Sequence, residues 1–230
     1  MKISQRLQQI DRMITKEYEH IWDCCCDHGL LGFLLLQRSA AKVVHFVDIA
    51  EPLVLEVETK LQRFFPEPQV NHWQVHAVNV AQLRLAEVSC IDDSGRHLMI
   101  IAGVGGELLI ELVEGLLNEN PQQEMEFLLC PILHTYKVRN ALILMGFYLI
   151  DECLVKENNR YYEILHVSLD ASKAISPVGS IMWDFTQEDH QAYLKRTLGH
   201  YQRVFQTTDR EGRKVLEDYQ ALSFALGDKK

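Results

Sequence analysis

The chain has 230 residues, of which 47% are hydrophobic, and a formal net charge of −9. This length and apolar content suffice for one α/β domain with an appendage and argue against a disordered chain. The acidic charge disfavours a uniformly basic nucleic-acid binder, and apolar runs such as GLLGFLLL are far shorter than a membrane helix of about 18 residues. Because the N-terminus also lacks the continuous apolar core of a secretory signal, we expect a cytoplasmic protein with no membrane contact.

The charge is unevenly distributed between the two parts of the chain. Residues 1–170 contain 14 Lys and Arg against 24 Asp and Glu, a net charge of −10, whereas residues 171–230 contain 9 against 8, a net charge of +1. This asymmetry permits a local basic face near the C-terminus without demonstrating one.

The first predicted element is a helix over SQRLQQIDRMI, where Leu7, Ile10, Met13 and Ile14 share one face and Ser4 is a candidate N-cap. A buried strand, YEHIWDCCC, follows and leads through the turn DHG into an apolar helix. The next pair, KVVHFVDI and EPLVLEVETKLQRFF, reads as a strand and a helix with proline near its start.

Strand and helix patterns continue to alternate along the rest of the first 170 residues. In chain order they are a strand over VNHWQVHAVNV, a strand over HLMIIAGVGG that ends in a glycine turn, a helix over ELLIELVEGLL, a strand over EFLLCPIL, a helix over HTYKVRNALILMG, and a β-hairpin over FYLIDECLVKENNRYYEILHVSLD that turns at ENNR. Such alternation indicates right-handed crossovers and a parallel sheet, and the hairpin adds an antiparallel last strand.

These elements predict an α/β fold with a seven-stranded sheet that ends in an antiparallel β-hairpin. By analogy with known folds, this outline resembles the sheet of a Rossmann-like methyltransferase. A linker-like segment, ASKAISPVGS, then leads to two helical patterns at about 186–206 and 210–226. Their apolar stripes indicate an antiparallel, coiled-coil-like helical hairpin. We therefore expect a domain over residues 1–170 and a helical tail over 171–230.

The three adjacent cysteines at positions 24–26 raise the question of a metal or redox site. The six cysteines of the chain form no CxxC pair and no zinc-finger spacing, and adjacent strand residues point to opposite faces of a sheet. We interpret the three as small apolar side chains that fill a buried strand, and we expect no metal.

The segment from Asp23 to Gly29 ends the first predicted strand, where open α/β sheets bind ligands. It contains no GxGxxG, which argues against NAD or FAD, because their pyrophosphate requires close backbone approach. S-adenosylmethionine has no pyrophosphate and tolerates a more variable loop. Asp48 ends the second strand, where a carboxylate can accept the hydroxyl protons of a ribose.

Two further strand ends complete the predicted ligand edge. Asn79 closes the third strand, and its amide suits the edge of an adenine, although an ordinary turn residue explains it equally well. The glycines of AGVGG at 102–106 would let backbone groups approach a methyl donor and an acceptor base without obstruction.

The motifs DCCCDHGLL, IAGVGGELL and YYEILHVS, in this order and followed by a helical tail, resemble the bacterial tRNA (adenine-22-N1)-methyltransferase family. The resemblance covers essentially the whole chain and implies a class I S-adenosyl-L-methionine-dependent enzyme that methylates N1 of an adenine in tRNA. HTYKVRNAL also matches a family segment with a basic residue at the position of Arg139.

The chain departs from the family pattern at three places. The family has glycine where this chain has Cys25, an aromatic residue where it has Leu30, and Gln-Pro-Asn where Cys130 and Ile132 flank the proline. A side chain at position 25 narrows the loop, and the other changes lie on the expected substrate side. The three departures therefore bear on the identity of the target base more than on the identity of the cofactor.

The resemblance and the strand-end positions together yield a set of candidate site residues. The candidates for cofactor binding are Asp23, Cys25, Asp27, His28, Gly29, Asp48, Ile49, Asn79, Val80, Ala102, Gly103 and Val104. The candidates for the reaction site are Asp27, His28, Gly103 and Gly105, with a positioning hydrogen bond favoured for His28 over acid–base chemistry. The candidates for tRNA binding are Lys137, Arg139, Lys195, Arg196, Arg203, Arg210, Arg213 and Lys214.

Two alternatives share the cofactor residues. The chain could methylate another tRNA base, a small molecule or a protein, with the tail serving as a lid or a dimer element. It could also be a nucleotide-binding module without catalysis, since its first turn is substituted. The sequence does not determine the oligomeric state, and a monomer is the favoured expectation.

Overall fold

The computed structural model describes residues 3–66, 72–88, 95–204 and 210–227. The seven strands are β1 (Tyr18–Cys24), β2 (Ala41–Asp48), β3 (His72–Ala77), β4 (His97–Ala102), β5 (Met125–Cys130), β6 (Tyr148–Glu157) and β7 (Arg160–Ser168). The helices are α1 (Gln5–Met13), α2 (Leu30–Gln37), α3 (Glu51–Phe64), α4 (Leu85–Val88), α5 (Gly106–Glu119), α6 (Thr135–Leu144), α7 (Glu188–Val204) and α8 (Arg210–Gly227), with a 3₁₀ turn over Val80–Gln82.

All seven strands form one sheet in the order β3-β2-β1-β4-β5-β7-β6. The strands β1 to β5 pair in parallel, and β7 pairs antiparallel with both β5 and β6. Only β7 therefore runs against the others. This confirms the predicted seven-stranded sheet with its terminal antiparallel hairpin. The strand order reverses between β1 and β4, and the carboxyl ends of both strands lie at the same edge.

Alternation along the strands builds a hydrophobic core on each face of the sheet. On one face, Met99 and Ile101 of β4 pack with α5 and α6, and on the other, Leu98 and Ile100 pack with α1, α2 and α3. The burial of apolar side chains on both sides is typical of a parallel sheet covered by helices. No helix in the described parts of the chain is long and apolar enough to cross a membrane.

The cysteine segment is only partly strand. Cys24 ends β1 and packs in the core that contains α5, whereas Cys26 packs in the core that contains α2. Cys25 and Cys26 both follow the end of β1, and Cys25 has a left-handed φ of 58°, so the prediction of three strand cysteines is wrong at these two positions. Cys90 lies outside the described residues. Within the described ranges, no group of three or more metal-ligating side chains is placed to hold an ion.

A polar row that the sequence did not predict crosses the sheet on the face of Trp22. His76 on β3 bonds His45 on β2 at 3.0 Å, and His45 bonds His20 on β1 at 2.9 Å. Trp22 stacks on His45 at 3.6 Å between ring centroids and donates its indole N–H to His97. Burial holds the pKa of His45 well below its usual range and lowers that of His76 to about 4. The imidazoles of His45 and His76 are therefore neutral at pH 7.

The C-terminal tail is docked on the sheet domain through a third apolar cluster. Leu194 of α7 and Val215 and Tyr219 of α8 are buried against Tyr136 of α6. The Tyr136 hydroxyl also donates to the Asp218 carboxylate at 2.6 Å. The predicted antiparallel helical hairpin is therefore a packed element. Arg210 is one of the residues predicted to bind tRNA, and its side chain lies outside the part of the chain that the structure describes.

Candidate functional site

The turn after β1 is joined to the end of β2 by two hydrogen bonds. The Cys26 N–H donates to the Val47 carbonyl at 3.1 Å, and the Asp27 N–H donates to the Asp48 carboxylate at 3.1 Å. The Val78 N–H in turn donates to the Asp48 carbonyl at 3.0 Å. The ends of β1, β2 and β3 are thus gathered at one point of the carboxyl edge.

Asp23 supports this turn from inside the protein. Its carboxylate accepts the Gly32 N–H of the first turn of α2 at 2.9 Å, and it is 5% exposed. Burial raises the pKa of the Asp23 carboxyl to about 7. The observed bond gives Asp23 a role in ordering the turn, and its listing among the cofactor-binding candidates stays a prediction.

The backbone of the turn adopts left-handed conformations at three positions. Cys25, Asp27 and Gly29 have φ angles of 58°, 50° and 73°. A Cβ at Gly29 would lie 3.2 Å from Phe46 and Val57, so glycine is required there for packing as well as for conformation. Cys25 occupies a conformation that costs a non-glycine residue of order 1 kcal/mol.

Asp48 and Ile49 form the second part of the edge. The Asp48 carboxylate is partly exposed and accepts the Ala50 N–H at 2.9 Å in addition to the Asp27 N–H. A carboxylate offers about four acceptor positions, which leaves room for the hydroxyls of a ribose. Ile49 is 73% exposed, so the edge also presents an apolar side chain next to Asp48.

Asn79 and Val80 start the 3₁₀ turn after β3. The Asn79 side-chain oxygen accepts the Ala81 N–H at 3.0 Å and so caps this turn, while its amide N–H₂ has no recorded partner among the described residues. The Val80 side chain is buried in the core, so any ligand contact by this residue would come from its backbone.

The glycine turn after β4 faces the same edge. Gly103 has a φ of 87°, and its N–H donates to the Cys130 carbonyl at 3.1 Å, while the Val104 carbonyl accepts the Ile132 N–H. A Cβ at Gly105 would meet nothing within 4 Å, so this position opens onto free space. The backbone is therefore open to approach at Gly105, whereas Gly106 packs closely against Leu133 and His134.

Asp27 and His28 carry exposed side chains at the tip of the first turn. The imidazole of His28 lies 3.5 Å from the Glu56 carboxylate on α3 and 3.7 Å from the Asp27 carboxylate. His28 is thus directed toward α3, and the described contacts do not link it to the glycine turn. This arrangement favours a positioning role.

The structure corrects one predicted tRNA-binding residue. Arg139 is fully buried, with nitrogens 2.7 Å from the Glu152 and the Glu163 carboxylates. It cannot reach an RNA phosphate, because both its charge and its donors serve this interior ion triad. The triad extends into the tail, where the Tyr193 hydroxyl donates to Glu163 at 2.6 Å and the Ser180 N–H donates to Glu152.

The other predicted cations lie on the surface. Lys137 pairs with Glu107 at 3.2 Å at the start of α5, close to the glycine turn, and Arg196 donates to the Asn159 carbonyl. The exposed members of the set are Lys137, Lys195, Arg196, Arg203, Arg213 and Lys214.

Sequence reasoning missed Arg6, on α1. Its guanidinium lies beside Gly103 and 5.0 Å from the Tyr162 ring centroid. The helix was recognised by its apolar face, and a single arginine that stands four residues before Ile10, on the same side of the helix, carries no signal of its own in one sequence.

The sheet order, the ligand edge at four adjacent strand ends and the antiparallel β7 define a Rossmann-like methyltransferase fold. The chain belongs to the methyltransferase domain family, whose model matches residues 3–165. No curated protein matches the chain.

Solved structures with this fold differ in how much of the chain they cover. The Bacillus subtilis m1A22 tRNA methyltransferase TrmK is 20% identical, with a TM-score of 0.71 over 99% of this chain and 98% of its own. Streptococcus pneumoniae Sp1610 in complex with S-adenosyl-L-methionine is 20% identical, with a TM-score of 0.74 over 98% and 100%. Magnesium protoporphyrin IX methyltransferase from Synechocystis, with bound SAM, is 17% identical, with a TM-score of 0.53 over 71% and 79%.

Proposed function

We propose that this chain transfers a methyl group from S-adenosyl-L-methionine to N1 of an adenine in tRNA, at position 22. The observation that carries the proposal is the gathering of the first turn, Asp48, Asn79 and the glycine turn at one edge of a methyltransferase sheet. The similarity to the Bacillus subtilis enzyme supports the choice of substrate, because it extends through the C-terminal tail, whereas the Synechocystis enzyme covers only 71% of the chain.

The residues of the edge fit the proposed cofactor. Asp48 would hold the ribose hydroxyls, Ile49 would cover the adenine ring, and the Asn79 amide would donate to it. When bound, S-adenosyl-L-methionine supplies an electrophilic methyl group on a sulfonium sulfur. The turn from Cys25 to Gly29 would then orient the rest of the molecule through its backbone.

The glycine turn fits an acceptor that needs no general base. N1 of adenine carries an in-plane lone pair, so methylation there requires no proton removal before attack. Gly103 and Gly105 allow the base to approach closely, and the protein's contribution is to hold N1 in line with the methyl group. Proximity and orientation of this kind can lower a barrier by about 7–11 kcal/mol.

The tail would bind the RNA backbone outside the cleft. The exposed cations of α7 and α8 are Lys195, Arg196, Arg203, Arg213 and Lys214. The target base is normally stacked and must be exposed or flipped to enter the site. We place this reaction in the cytoplasm, where tRNA is found in bacteria.

The direct test is a methyl-transfer assay with purified protein, labelled S-adenosyl-L-methionine and transcribed tRNA. We expect label in tRNA, mapped by mass spectrometry of digests to 1-methyladenosine at one position, and none when that adenine is replaced by guanine. A matched pair of variants, Asp48→Asn and Glu114→Gln, compares the residue proposed to hold the ribose with an exposed carboxylate on α5 outside the candidate site.

The same assay distinguishes the alternatives. Label that enters small molecules or protein from a cell extract, but not tRNA, would contradict the proposed substrate and leave the cofactor assignment intact. Binding of S-adenosyl-L-methionine without transfer to any acceptor would point to a nucleotide-binding module without catalysis.

A further inference from the structure

Helix α1 brings a cation to the carboxyl edge of the sheet. Its first turn is fixed by the Ser4 side chain, which accepts the Leu7 N–H, and by Glu157 at the end of β6, which accepts the Gln5 N–H at 2.7 Å. Because β6 ends at the same edge as β4 and β5, these bonds hold the start of the helix next to the glycine turn. Arg6 lies in this turn of the helix.

The Arg6 guanidinium bridges the glycine turn and the hairpin. It lies over the Tyr162 ring of β7, 5.0 Å from the centroid. A Cβ built on Gly103 would be 3.6 Å and 3.9 Å from its two terminal nitrogens. Arg6 is therefore in contact with the turn that the proposed function assigns to the acceptor base.

This guanidinium lacks an anionic partner in the described structure. Its Nε is shielded from solvent and has no hydrogen-bond acceptor, and none of the ion pairs among the described residues involves Arg6. A buried donor left unsatisfied costs about 1–3 kcal/mol, and more when it carries charge. A fixed cation beside the place where a second positive charge is transferred also opposes the reaction unless an anion neutralises it.

We propose that Arg6 binds a phosphate group of the RNA at or next to the methylated adenine. The inference rests on the proposed function and adds a substrate-binding residue to it. A guanidinium offers its donors in a planar fork that matches two phosphate oxygens, and stacking on Tyr162 fixes the orientation of that fork. The bound phosphate would accept from the two terminal nitrogens, which lie beside Gly103, and neutralise the charge there.

The test compares Arg6→Gln and Arg6→Lys with Arg12→Gln, an exposed arginine on the same helix. For Arg6→Gln we expect kcat/KM for tRNA to fall about 10- to 100-fold, as for loss of a charge-assisted hydrogen bond. The plot of log affinity for tRNA against log salt should become shallower by about 0.7–0.9, the contribution of one phosphate. Arg6→Lys should keep the salt slope and lose part of the affinity, while Arg12→Gln should leave both unchanged.

A second measurement identifies the group that is bound. Neutral methylphosphonates placed one at a time around the target adenine should weaken the wild type at one position, and Arg6→Gln should show no penalty there. Affinity for S-adenosyl-L-methionine and the melting temperature should stay at wild-type values.

Three results would overturn the inference. The first is unchanged tRNA affinity and salt slope in Arg6→Gln while the wild type methylates tRNA, which leaves the proposed function standing. The second is an equal loss of cofactor affinity and thermal stability in both Arg6 variants, which would assign a structural role. The third is a wild type that neither binds nor methylates tRNA, which would overturn the proposed function as well.

Discussion

At the carboxyl edge of the sheet, the loops are held by backbone hydrogen bonds, whereas the C-terminal tail is held by a few buried side chains. The turn from Cys26 to Gly29 depends on the N–H groups of Cys26 and Asp27, which a substitution there does not remove. The tail depends on Arg139 with its two glutamates, and on buried tyrosines. The ligand edge is therefore expected to tolerate substitutions that the tail contact does not.

The largest effect is expected from Arg139→Met, which removes the shared partner of Glu152 and Glu163. Two carboxylates would remain buried beside each other without their cation, and breaking a buried ion pair in this way costs about 3–5 kcal/mol. Urea unfolding should show this loss in the free energy of unfolding. Lys137→Met, on the exposed side of the same helix, should change it by less than about 0.5 kcal/mol.

Equal stabilities of the two variants would show that the triad does not hold the tail. The triad also explains why deleting residues 171–230 is a poor test of RNA binding. Such a deletion removes Tyr193 and the Ser180 N–H from buried carboxylates, so lost activity would not distinguish unfolding from a missing RNA surface.

The next effect concerns Asp48→Asn at the ligand edge. This change keeps the shape of the side chain but replaces one acceptor oxygen by a donor, so it should weaken the proposed ribose contact by about 1.5–3 kcal/mol. Isothermal titration with S-adenosyl-L-methionine should show a Kd about 10- to 100-fold higher. Glu114→Gln, an exposed carboxylate on α5 outside the candidate site, is the control, and similar Kd values for the two variants would contradict the assignment.

A smaller effect is expected from acid on the histidine row. The pKa of His76 is about 4 in the folded protein against an ordinary 6.5, so the unfolded chain binds an extra proton between these pH values. The contribution of His76 to stability is complete above about pH 6.5 and decreases as the pH falls toward 4. We expect this contribution to the free energy of unfolding to fall by about 1–2 kcal/mol over that range, a value reduced because His76 is partly exposed to solvent.

Asp23 contributes with the opposite sign in the same range, because its folded pKa of about 7 lies above the ordinary value of 3.8. The informative quantity is therefore the difference in unfolding free energy between wild type and His76→Gln as a function of pH. This difference should shrink from pH 7 to pH 4. A constant difference, or the same slope in the exposed control His28→Gln, would rule out the assigned titration.

The smallest effect is expected from Cys25→Gly. Glycine adopts the left-handed conformation of this position freely, although it also gains entropy in the unfolded chain. A net stabilisation of about 0.5–1 kcal/mol should appear as a rise in melting temperature. The matched change Cys26→Gly removes a buried side chain and should destabilise the protein, so a loss in both variants would indicate that Cys25 is not strained.

Periodicity predicted the sheet, its hairpin and both tail helices, because alternating burial leaves a direct trace in the chain. The 3₁₀ turn and α4 were missed, since they depend on distant contacts such as the Asn120 side chain, which bonds Leu85 N–H and the Leu83 carbonyl. Lys137 and Arg139 look alike in sequence. Only the pairing of α6 with the hairpin decides which of the two is exposed.

The candidate site was predicted at the level of strand ends and less well at the level of contacts. Asp48, Asn79 and the glycine turn follow from counting strands, because parallel strands bring their carboxyl ends to one edge. The inward role of Asp23 and the direction of His28 depend on Gly32 and Glu56, partners in other elements. The histidine row was missed because each member sits in a different strand.

The docking of the tail through Glu152, Glu163 and Tyr193 has a consequence for how a target nucleotide is chosen. In the proposed function, the cations of this fixed tail would stay at a constant distance from Gly103, so the span of bound RNA between the tail and the cleft would be constant as well. An RNA bound to the tail would present to the cleft the nucleotide that lies at this distance, whatever the neighbouring bases are. The length and shape of the RNA would then determine which position is methylated, and the cleft would determine only which base is accepted there.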